Sequence, residues 1–146
     1  QPSTPIVDAG FGDGRMLALF DAYGFNPVVG IEPNEKLVNF SKEVIDDLIK
    51  RSILPGNIHM VHGDFTNLQA YEHAGVPFTD IPYFHIGINS KPLEKLAEKI
   101  QRESPNGTKL IIYGMIDEGQ EPKLPLQLIH RMRTNDCLAD IIIYKK

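Results

Sequence analysis

The fold of this chain is decided near its start, in the stretch Val7-Asp8-Ala9-Gly10-Phe11-Gly12-Asp13-Gly14-Arg15. Apolar residues and an acid are followed there by three glycines at alternate positions. Glycine adopts backbone angles that other residues avoid, and it lets the main chain come close to a ligand or to a neighbouring element. The stretch therefore predicts a buried strand that turns tightly into a helix, whose first amides could hold a nucleotide-like ligand.

Two later segments extend this pattern. Val28 to Glu32 predicts a second buried strand, ending in a carboxylate 18 positions beyond Gly14 (32 minus 14), where an acid could accept hydrogen bonds from both hydroxyls of a ribose. Asn57 to Gly63 predicts a third strand, which is followed by Asp64 and Phe65. Because open α/β sheets bind ligands outside the carboxyl ends of their strands, the three segments together predict one ligand site.

These segments resemble the motifs of the class I S-adenosylmethionine-dependent methyltransferases, and the resemblance covers nearly the whole chain. It implies a Rossmann-like methyltransferase fold that binds S-adenosyl-L-methionine and releases S-adenosyl-L-homocysteine. By this resemblance, Glu32 binds the ribose hydroxyls, with Ile31 or Pro33 beside the adenine. Asp64, next to Phe65, would accept a hydrogen bond from the exocyclic amine of the adenine. The residues that correspond to the family's first motif, around the methionine part of the cofactor, are Asp8, Ala9, Gly10, Phe11, Gly12 and Gly14.

A dinucleotide-binding Rossmann domain is the main alternative, and the spacing of the glycines disfavours it. The pattern G-x-G-x-x-G/A, started at Gly10, requires Gly or Ala at position 15, where this chain has Arg15. A long side chain there would obstruct the close contact between helix and sheet that the third glycine allows. An NAD- or FAD-binding oxidoreductase domain is therefore the less favoured interpretation.

Length, charge and cysteine content favour one domain in a reducing compartment. The 146 residues suit a single core, so 1–146 is interpreted as one S-adenosylmethionine-binding domain. The net charge of −4 and the pI of about 5.7 give no sign of the basic field that nucleic-acid binding normally requires. Cys137 is the single cysteine, which excludes an internal disulfide. Since no apolar run approaches the ~20 residues of a membrane span, we expect the chain in the cytoplasm.

Strands and helices alternate along the rest of the sequence. This alternation predicts an α/β three-layer sandwich with a doubly wound, mostly parallel sheet of six strands, or seven with one very short, whose last strand is antiparallel. Segment 68–79 is interpreted as loop, with a single helical turn as the alternative, and Leu126, Ile129 and Met132 predict a short helix. Related methyltransferases carry helices ahead of the first strand, and we expect these to be absent because the chain begins at Gln1. The other predicted elements are helices from about Gly14 to Tyr23, Asn34 to Ile53 and Pro92 onward, strands over Ile81 to Ile88, Lys109 to Tyr113 and Ala139 to Tyr144, and a mobile loop over Asp117 to Pro125.

The segment after the fourth strand carries the candidates for catalysis, which are His85, Asn89 and Ser90. Methyl transfer from a sulfonium is a direct displacement, so an enzyme can achieve much by aligning donor and acceptor and excluding water. The family resemblance assigns Asn89 and Ser90 to the acceptor or to the sulfonium end of the pocket. The alternatives are packing within the strand for His85 and capping of the next helix for the other two. His59 and His62 are three positions apart on a strand and point to opposite faces, so no metal site is predicted.

No motif identifies the methyl acceptor. The segment lacks Asn/Asp-Pro-Pro-Tyr/Phe, which many methyltransferases that modify base or glutamine nitrogens carry, and this lowers the expectation of a nucleic-acid base. The Gly-Asp-Gly-Arg form of the first motif resembles that of small lysine methyltransferases. A small molecule or a protein amine is therefore the expected acceptor, and the oligomeric state is not predicted. A methyltransferase-like module that binds the cofactor without activity of its own stays open as an alternative.

Overall fold

Strands and helices alternate through the described part of the chain, which in the computed structural model comprises residues 3–89, 92–117, 119–133 and 139–146. The strands are Ile6–Ala9 (β1), Val28–Glu32 (β2), Ile58–His62 (β3), Tyr83–Gly87 (β4), Lys109–Gly114 (β5), Gln127–Arg133 (β6) and Asp140–Lys145 (β7). The helices are Arg15–Ala22 (α1), Glu35–Lys50 (α2), Leu68–His73 (α3) and Leu93–Glu103 (α4), with a 3₁₀ turn at Phe78–Asp80.

All of these strands belong to one sheet, in the order β3-β2-β1-β4-β5-β7-β6. The strands β1 to β5 run parallel, and β7 lies between β5 and β6, antiparallel to both. The predicted α/β sandwich with a mostly parallel, doubly wound sheet is therefore confirmed. The seventh strand is present, and the expectation that it would be absent or very short is wrong, because β6 is seven residues long.

Alternating residues of the central strands face two separate cores. Ile6 and Val28 pack with Leu17 of α1 and with α2 on one face of the sheet. Val7 and Val29 belong to the core on the other face, where α3 and α4 pack. Successive side chains of a strand point to opposite faces, so strands covered by helices on both sides are largely apolar. Because β1 to β5 run parallel, their carboxyl ends meet at one edge of the sheet.

The segment interpreted as loop at 68–79 contains α3 and the 3₁₀ turn. The helix α3 begins after Asn67, whose side chain accepts a hydrogen bond from the backbone N–H of Gln69 at 3.1 Å. The loop interpretation is wrong because so short a helix leaves little hydrophobic periodicity in the sequence, whereas an N-cap and the buried Tyr71 are enough to form it.

The strand β6 replaces the short helix predicted from Leu126, Ile129 and Met132. Its backbone pairs with β7, with Arg133 opposite Asp140. Ile129 and Met132 remain largely exposed, so their spacing does not mark a buried helical face. Pairing with a neighbouring strand overrides local spacing here, as is common for strands.

The end of α1 also differs from the prediction. The helix ends at Ala22, one residue before the predicted end, and Tyr23 is 78% exposed. The buried residue at this end is Asp21, whose carboxylate accepts hydrogen bonds from the N–H groups of Gly56 at 2.9 Å and Asn57 at 3.1 Å. Asp21 therefore joins α1 to the segment that enters β3.

Gly30 lets α1 pack directly on β2. A Cβ at this position would lie 2.6 Å from Leu17 Cδ1 and 2.6 Å from Phe11 Cδ1, and both side chains are buried. Gly30→Ala is therefore expected to lower the free energy of unfolding by about 1–3 kcal/mol through overpacking, measured by urea denaturation. Gly87→Ala in β4 is the matched control, since a Cβ there would meet no atom of the described residues within 4 Å. Equal losses in the two variants would contradict this account.

Candidate functional site

A cavity of about 490 Å³ lies at the carboxyl ends of the central strands. This is where open α/β sheets bind their ligands. A second cavity, of about 530 Å³, lies beside α3 and the 3₁₀ turn and contains none of the residues predicted for the site. The first cavity is therefore the candidate site, and its lining residues are Ala9, Gly10, Glu32, Pro33, Phe65, Gly87, Ile88, Asn89, Pro92, Tyr113 and Gly114.

Glu32 lies in this cavity, and backbone amides hold its carboxylate. Oε2 accepts a hydrogen bond from the N–H of Gly12 at 3.0 Å, and Oε1 accepts one from the N–H of Asn34 at 2.9 Å. The residue is 6% exposed, so the carboxylate has little freedom to turn away. Each carboxylate oxygen keeps a second lone pair. Two hydroxyl groups of a ligand can therefore donate to an acid that is already oriented.

The glycine loop between β1 and α1 is held by neighbouring backbone and by α2. Gly14 is the N-cap of α1 at a φ of 80°, a left-handed conformation that glycine adopts without strain. A Cβ at Gly14 would lie 3.1 Å from Ser41 Cβ, so the glycine also allows close contact with α2. Ser41 Oγ donates a hydrogen bond to the carbonyl oxygen of Gly12 at 3.2 Å. Ser41 lies within the helix predicted from Asn34 to Ile53, and nothing in the sequence indicated its contact with the loop.

Arg15 points to solvent beside Asp13, with its Nε 2.8 Å from Asp13 Oδ2. The hydrogen bond from Arg15 holds the pKa of the Asp13 carboxyl below its usual value. The prediction that a long side chain at position 15 would obstruct contact between helix and sheet is wrong, because this position does not face the sheet. The close packing of α1 on the sheet depends on Gly30 instead.

Asp8 and His85 form a buried pair on neighbouring strands. His85 Nδ1 donates a hydrogen bond to Asp8 Oδ1 at 2.8 Å, and both side chains are almost fully buried. Phe20 of α1 meets the His85 ring edge to face, with ring centroids 5.4 Å apart. Neither residue belongs to the lining of the cavity. We interpret His85 as a packed strand residue that positions Asp8 behind the lining.

Loss of either member of this pair is expected to destabilise the fold. Asp8→Ala leaves the buried imidazole without its partner, and His85→Ala does the same to the carboxylate, at a cost of about 1–3 kcal/mol each. The double variant should lose less than the sum of the two single losses, because residues in contact are coupled. Urea unfolding of the wild type and the three variants measures this coupling, and strictly additive losses would argue against a direct interaction.

Asp64 and Phe65 occupy different environments after β3. Phe65 is buried and lines the cavity. Asp64 is exposed and outside the lining, and its Oδ1 accepts hydrogen bonds from the N–H and Oγ1 of Thr66, both at 2.8 Å. The Tyr71 hydroxyl donates to the carbonyl oxygen of Phe65 at 2.6 Å, and burial raises the Tyr71 pKa well above its usual value. Tyr71 therefore stays protonated and fixes the backbone of Phe65.

Asn89 is the candidate catalytic residue that the structure places in the lining. Ser90 and Cys137 lie outside the described residues. At the other end of the lining, the carbonyl oxygen of Pro33 accepts a hydrogen bond from His62 Nε2 at 3.0 Å.

Within the described ranges, no group of three His, Cys, Asp or Glu side chains could hold a metal ion. No helix in the same ranges is long and apolar enough to cross a membrane.

An ion cluster after β5 was not foreseen from the sequence. Asp140 of β7 is buried and accepts hydrogen bonds from Arg131 and Arg133 of β6, at 3.2 and 3.3 Å. Arg131 also pairs with Glu121, and both arginines donate to the carbonyl oxygen of Ile116. Burial raises the pKa of Asp140, but the hydrogen bonds from Arg133 and Arg131 outweigh it and hold the pKa below its usual value. The cluster ties the segment after β5 to the β6–β7 hairpin.

Comparison with known proteins gives a match in structure and none in sequence. No protein-family profile and no curated protein sequence match this chain. An RNA methyltransferase from Salinibacter ruber, solved with S-adenosyl-L-homocysteine, has a TM-score of 0.69 at 15% identity, over 97% of this chain and 80% of that one. An rRNA methylase from Streptococcus thermophilus has a TM-score of 0.66 at 18% identity, over 99% of this chain and 87% of that one.

A third similar structure is a variant of MtNAS solved with S-adenosylmethionine, with a TM-score of 0.72 at 12% identity. The match includes 99% of this chain and 55% of the MtNAS chain. At such identities the likeness concerns the fold. The chain has a Rossmann-like α/β fold, which it shares with these methyltransferase structures.

Proposed function

We propose that this chain binds S-adenosylmethionine in the cavity at the carboxyl edge of the sheet and transfers its methyl group to an acceptor. The observation that carries the proposal is the joint placement of Glu32 and the glycine loop. The Glu32 carboxylate accepts the N–H of Gly12, so the acid and the loop border one space. An oriented acid that can accept from hydroxyls and a glycine loop at the start of a helix suit the ribose and the polar tail of this cofactor.

The cofactor contacts are proposed for the ends of the first three strands. Glu32 binds the ribose hydroxyls, with Pro33 beside the adenine and Phe65 as an apolar wall. Asp64, exposed beside Phe65, is the proposed partner of the adenine amine. The glycine loop from Asp8 to Gly14 holds the methionine part, with its lining residues in contact and Asp8 behind them.

For methyl transfer, the main task of the protein is to align the methyl donor with the acceptor. When bound, the cofactor supplies a methyl group activated on a sulfonium, which an acceptor can displace without a nucleophile from the protein. The lining residues orient the acceptor. Asn89 is the proposed polar contact for the acceptor, and Ser90 is proposed with it from the sequence alone. His85 acts on this site only through Asp8.

Calorimetric titration with S-adenosylhomocysteine tests the cofactor assignment, with NAD and FAD as controls. Micromolar binding of S-adenosylhomocysteine alone would support the proposal. Preference for NAD or FAD would mark an oxidoreductase domain, and no binding of any of the three would overturn the proposal. Binding without methyl transfer, restored by a second protein chain, would favour the cofactor-binding module over an enzyme that works by itself.

A further inference from the structure

The strand order gives the cavity two ends. Glu32 ends β2 and Tyr113 lies near the end of β5, with β1 and β4 between these strands. Three spacings of about 4.8 Å separate β2 from β5, which is roughly 14 Å in all. A cofactor held by its ribose at Glu32 therefore leaves the end at β4 and β5 for the acceptor.

A hydrogen bond holds the backbone of Tyr113, whereas its side chain is partly exposed. Its carbonyl oxygen accepts a hydrogen bond from the N–H of Ile88 at 3.0 Å. The residue lines the cavity and is nevertheless 44% exposed. Phe65, the other aromatic residue in the lining, is buried and follows β3. Within the described residues, Tyr113 is thus the aromatic surface at the acceptor end.

Gly87 leaves free space beside this ring. It stands opposite Tyr113 in the register of β4 and β5, so both residues face the same side of the sheet. Among the described residues, no atom would lie within 4 Å of a Cβ at Gly87, which leaves space next to the phenol. A flat ring can enter this space and contact the face of Tyr113.

The polar groups of the lining suit a neutral ring better than a cationic amine. Among the described residues, Glu32 is the carboxylate of the lining, and it lies at the opposite end. A lysine ammonium group taken out of water would need an anionic partner at the acceptor end. Asn89 offers an amide there, which can donate and accept hydrogen bonds along the edge of a heterocycle.

From these contacts we infer that Tyr113 selects the acceptor, and that the acceptor presents a planar heteroaromatic ring that stacks on the phenol above Gly87. The inference rests on the proposed function, since it takes the cofactor ribose to be at Glu32. The ring can belong to a free nucleoside-like molecule or to a single-stranded polynucleotide, because both offer the same face. Of the two acceptors expected from the sequence, the inference is compatible with a small molecule and departs from a protein amine.

A fluorescent aminopurine riboside tests the inference, because stacking quenches its emission and the chain has no tryptophan to interfere. The probe is titrated into the chain saturated with S-adenosylhomocysteine, so that the adenine site is already filled. Tyr113→Leu removes the ring and keeps an apolar side chain, whereas Tyr113→Phe keeps the ring. Tyr23→Leu is the matched control, since it removes an exposed tyrosine outside the lining.

Saturable quenching is expected for the wild type, Tyr113→Phe and Tyr23→Leu. Tyr113→Leu should bind the probe roughly 5- to 150-fold more weakly, the loss expected for one base–aromatic stack. The affinity for S-adenosylhomocysteine should be unchanged in all four proteins. Equal probe binding by Tyr113→Leu and wild type, or no quenching by a chain that binds S-adenosylhomocysteine, would overturn the inference. A wild type that does not bind S-adenosylhomocysteine overturns the proposed function, and this inference with it.

Single-stranded RNA with one internal aminopurine separates the two sources of the ring. Tighter binding of this RNA than of the riboside assigns the acceptor to a polynucleotide, and tighter binding of the riboside assigns it to a small molecule. Either result supports the inference, provided that Tyr113→Leu binds the preferred probe more weakly than the wild type does. Methylation of a lysine peptide at equal rates by the wild type and Tyr113→Leu would contradict it.

Discussion

Replacing Glu32 by alanine is expected to weaken S-adenosylhomocysteine binding by roughly 10²- to 10⁴-fold. Two charge-assisted hydrogen bonds to the ribose would be lost, each worth about 1.5–3 kcal/mol, and every 1.4 kcal/mol is a factor of ten in affinity. The Glu32 carboxylate is pre-oriented by the N–H groups of Gly12 and Asn34, so its bonds to a ligand need no rearrangement of the side chain. Calorimetric titration of the variant measures the loss.

Glu35→Ala is the matched control for this experiment. Glu35 is an exposed acid in the first turn of α2, three positions away and outside the cavity lining, so its removal should leave the affinity unchanged. Thermal unfolding followed by circular dichroism shows whether Glu32→Ala still folds, since the variant also leaves two backbone amides without their partner. A folded Glu32→Ala protein with wild-type affinity would defeat the assignment of this residue to the ribose.

Replacing Gly114 by alanine is expected to lower both the free energy of unfolding and the affinity for the aminopurine riboside. A Cβ at Gly114 would lie 2.0 Å from Ile88 Cγ2 and 2.8 Å from Ile88 Cβ. The clash reaches the root of the Ile88 side chain, so a change of rotamer cannot relieve it and the backbone after β4 has to move. Overpacking of this kind costs about 1–3 kcal/mol. Since both residues line the cavity beside Tyr113, urea unfolding and fluorescence titration with the aminopurine riboside should show the two losses together.

Shortening the opposing side chain supplies the control for Gly114→Ala. In an Ile88→Ala background the contact with Cγ2 is gone, so Gly114→Ala should cost less stability there than in the wild type. Residues in contact show such coupling, commonly of about 0.5–3 kcal/mol, whereas independent sites add. A loss of equal size in the two backgrounds would mean that the clash with Ile88 is not the cause.

The first half of the chain could be predicted from the sequence because its signals are local. The glycine stretch and the apolar run from Val28 each define an element within a few residues, and the helix predicted from Asn34 is α2, which Asn34 caps. Parallel strands between helices then bring Glu32 to the same edge as the loop. The cavity position of these residues follows from the rule for open α/β sheets, without knowledge of any distant contact.

The contacts between distant residues could not be predicted in this way. His85 lies 77 positions from Asp8, and only the register of β4 against β1 makes them neighbours. Ser41 reaches the glycine loop because Gly14 lets α2 come close, which no spacing within α2 indicates. Tyr113 was assigned to a strand, and its exposure to the cavity depends on Gly87 of the adjacent strand. Such relations depend on strand order, which the sequence does not state.

The insertion of β7 between β5 and β6 limits the order in which the sheet can be completed. Among the described strands, β6 neighbours β7 and no other, so it joins the sheet with β7 or after it. A nascent chain that has not yet produced Asp140–Lys145 therefore carries β5 as an open edge, available for pairing with another molecule. Until β7 has been synthesised, partly made chains would need chaperones to protect this edge. A truncation within β7 would likewise cost the sheet two strands and favour aggregation.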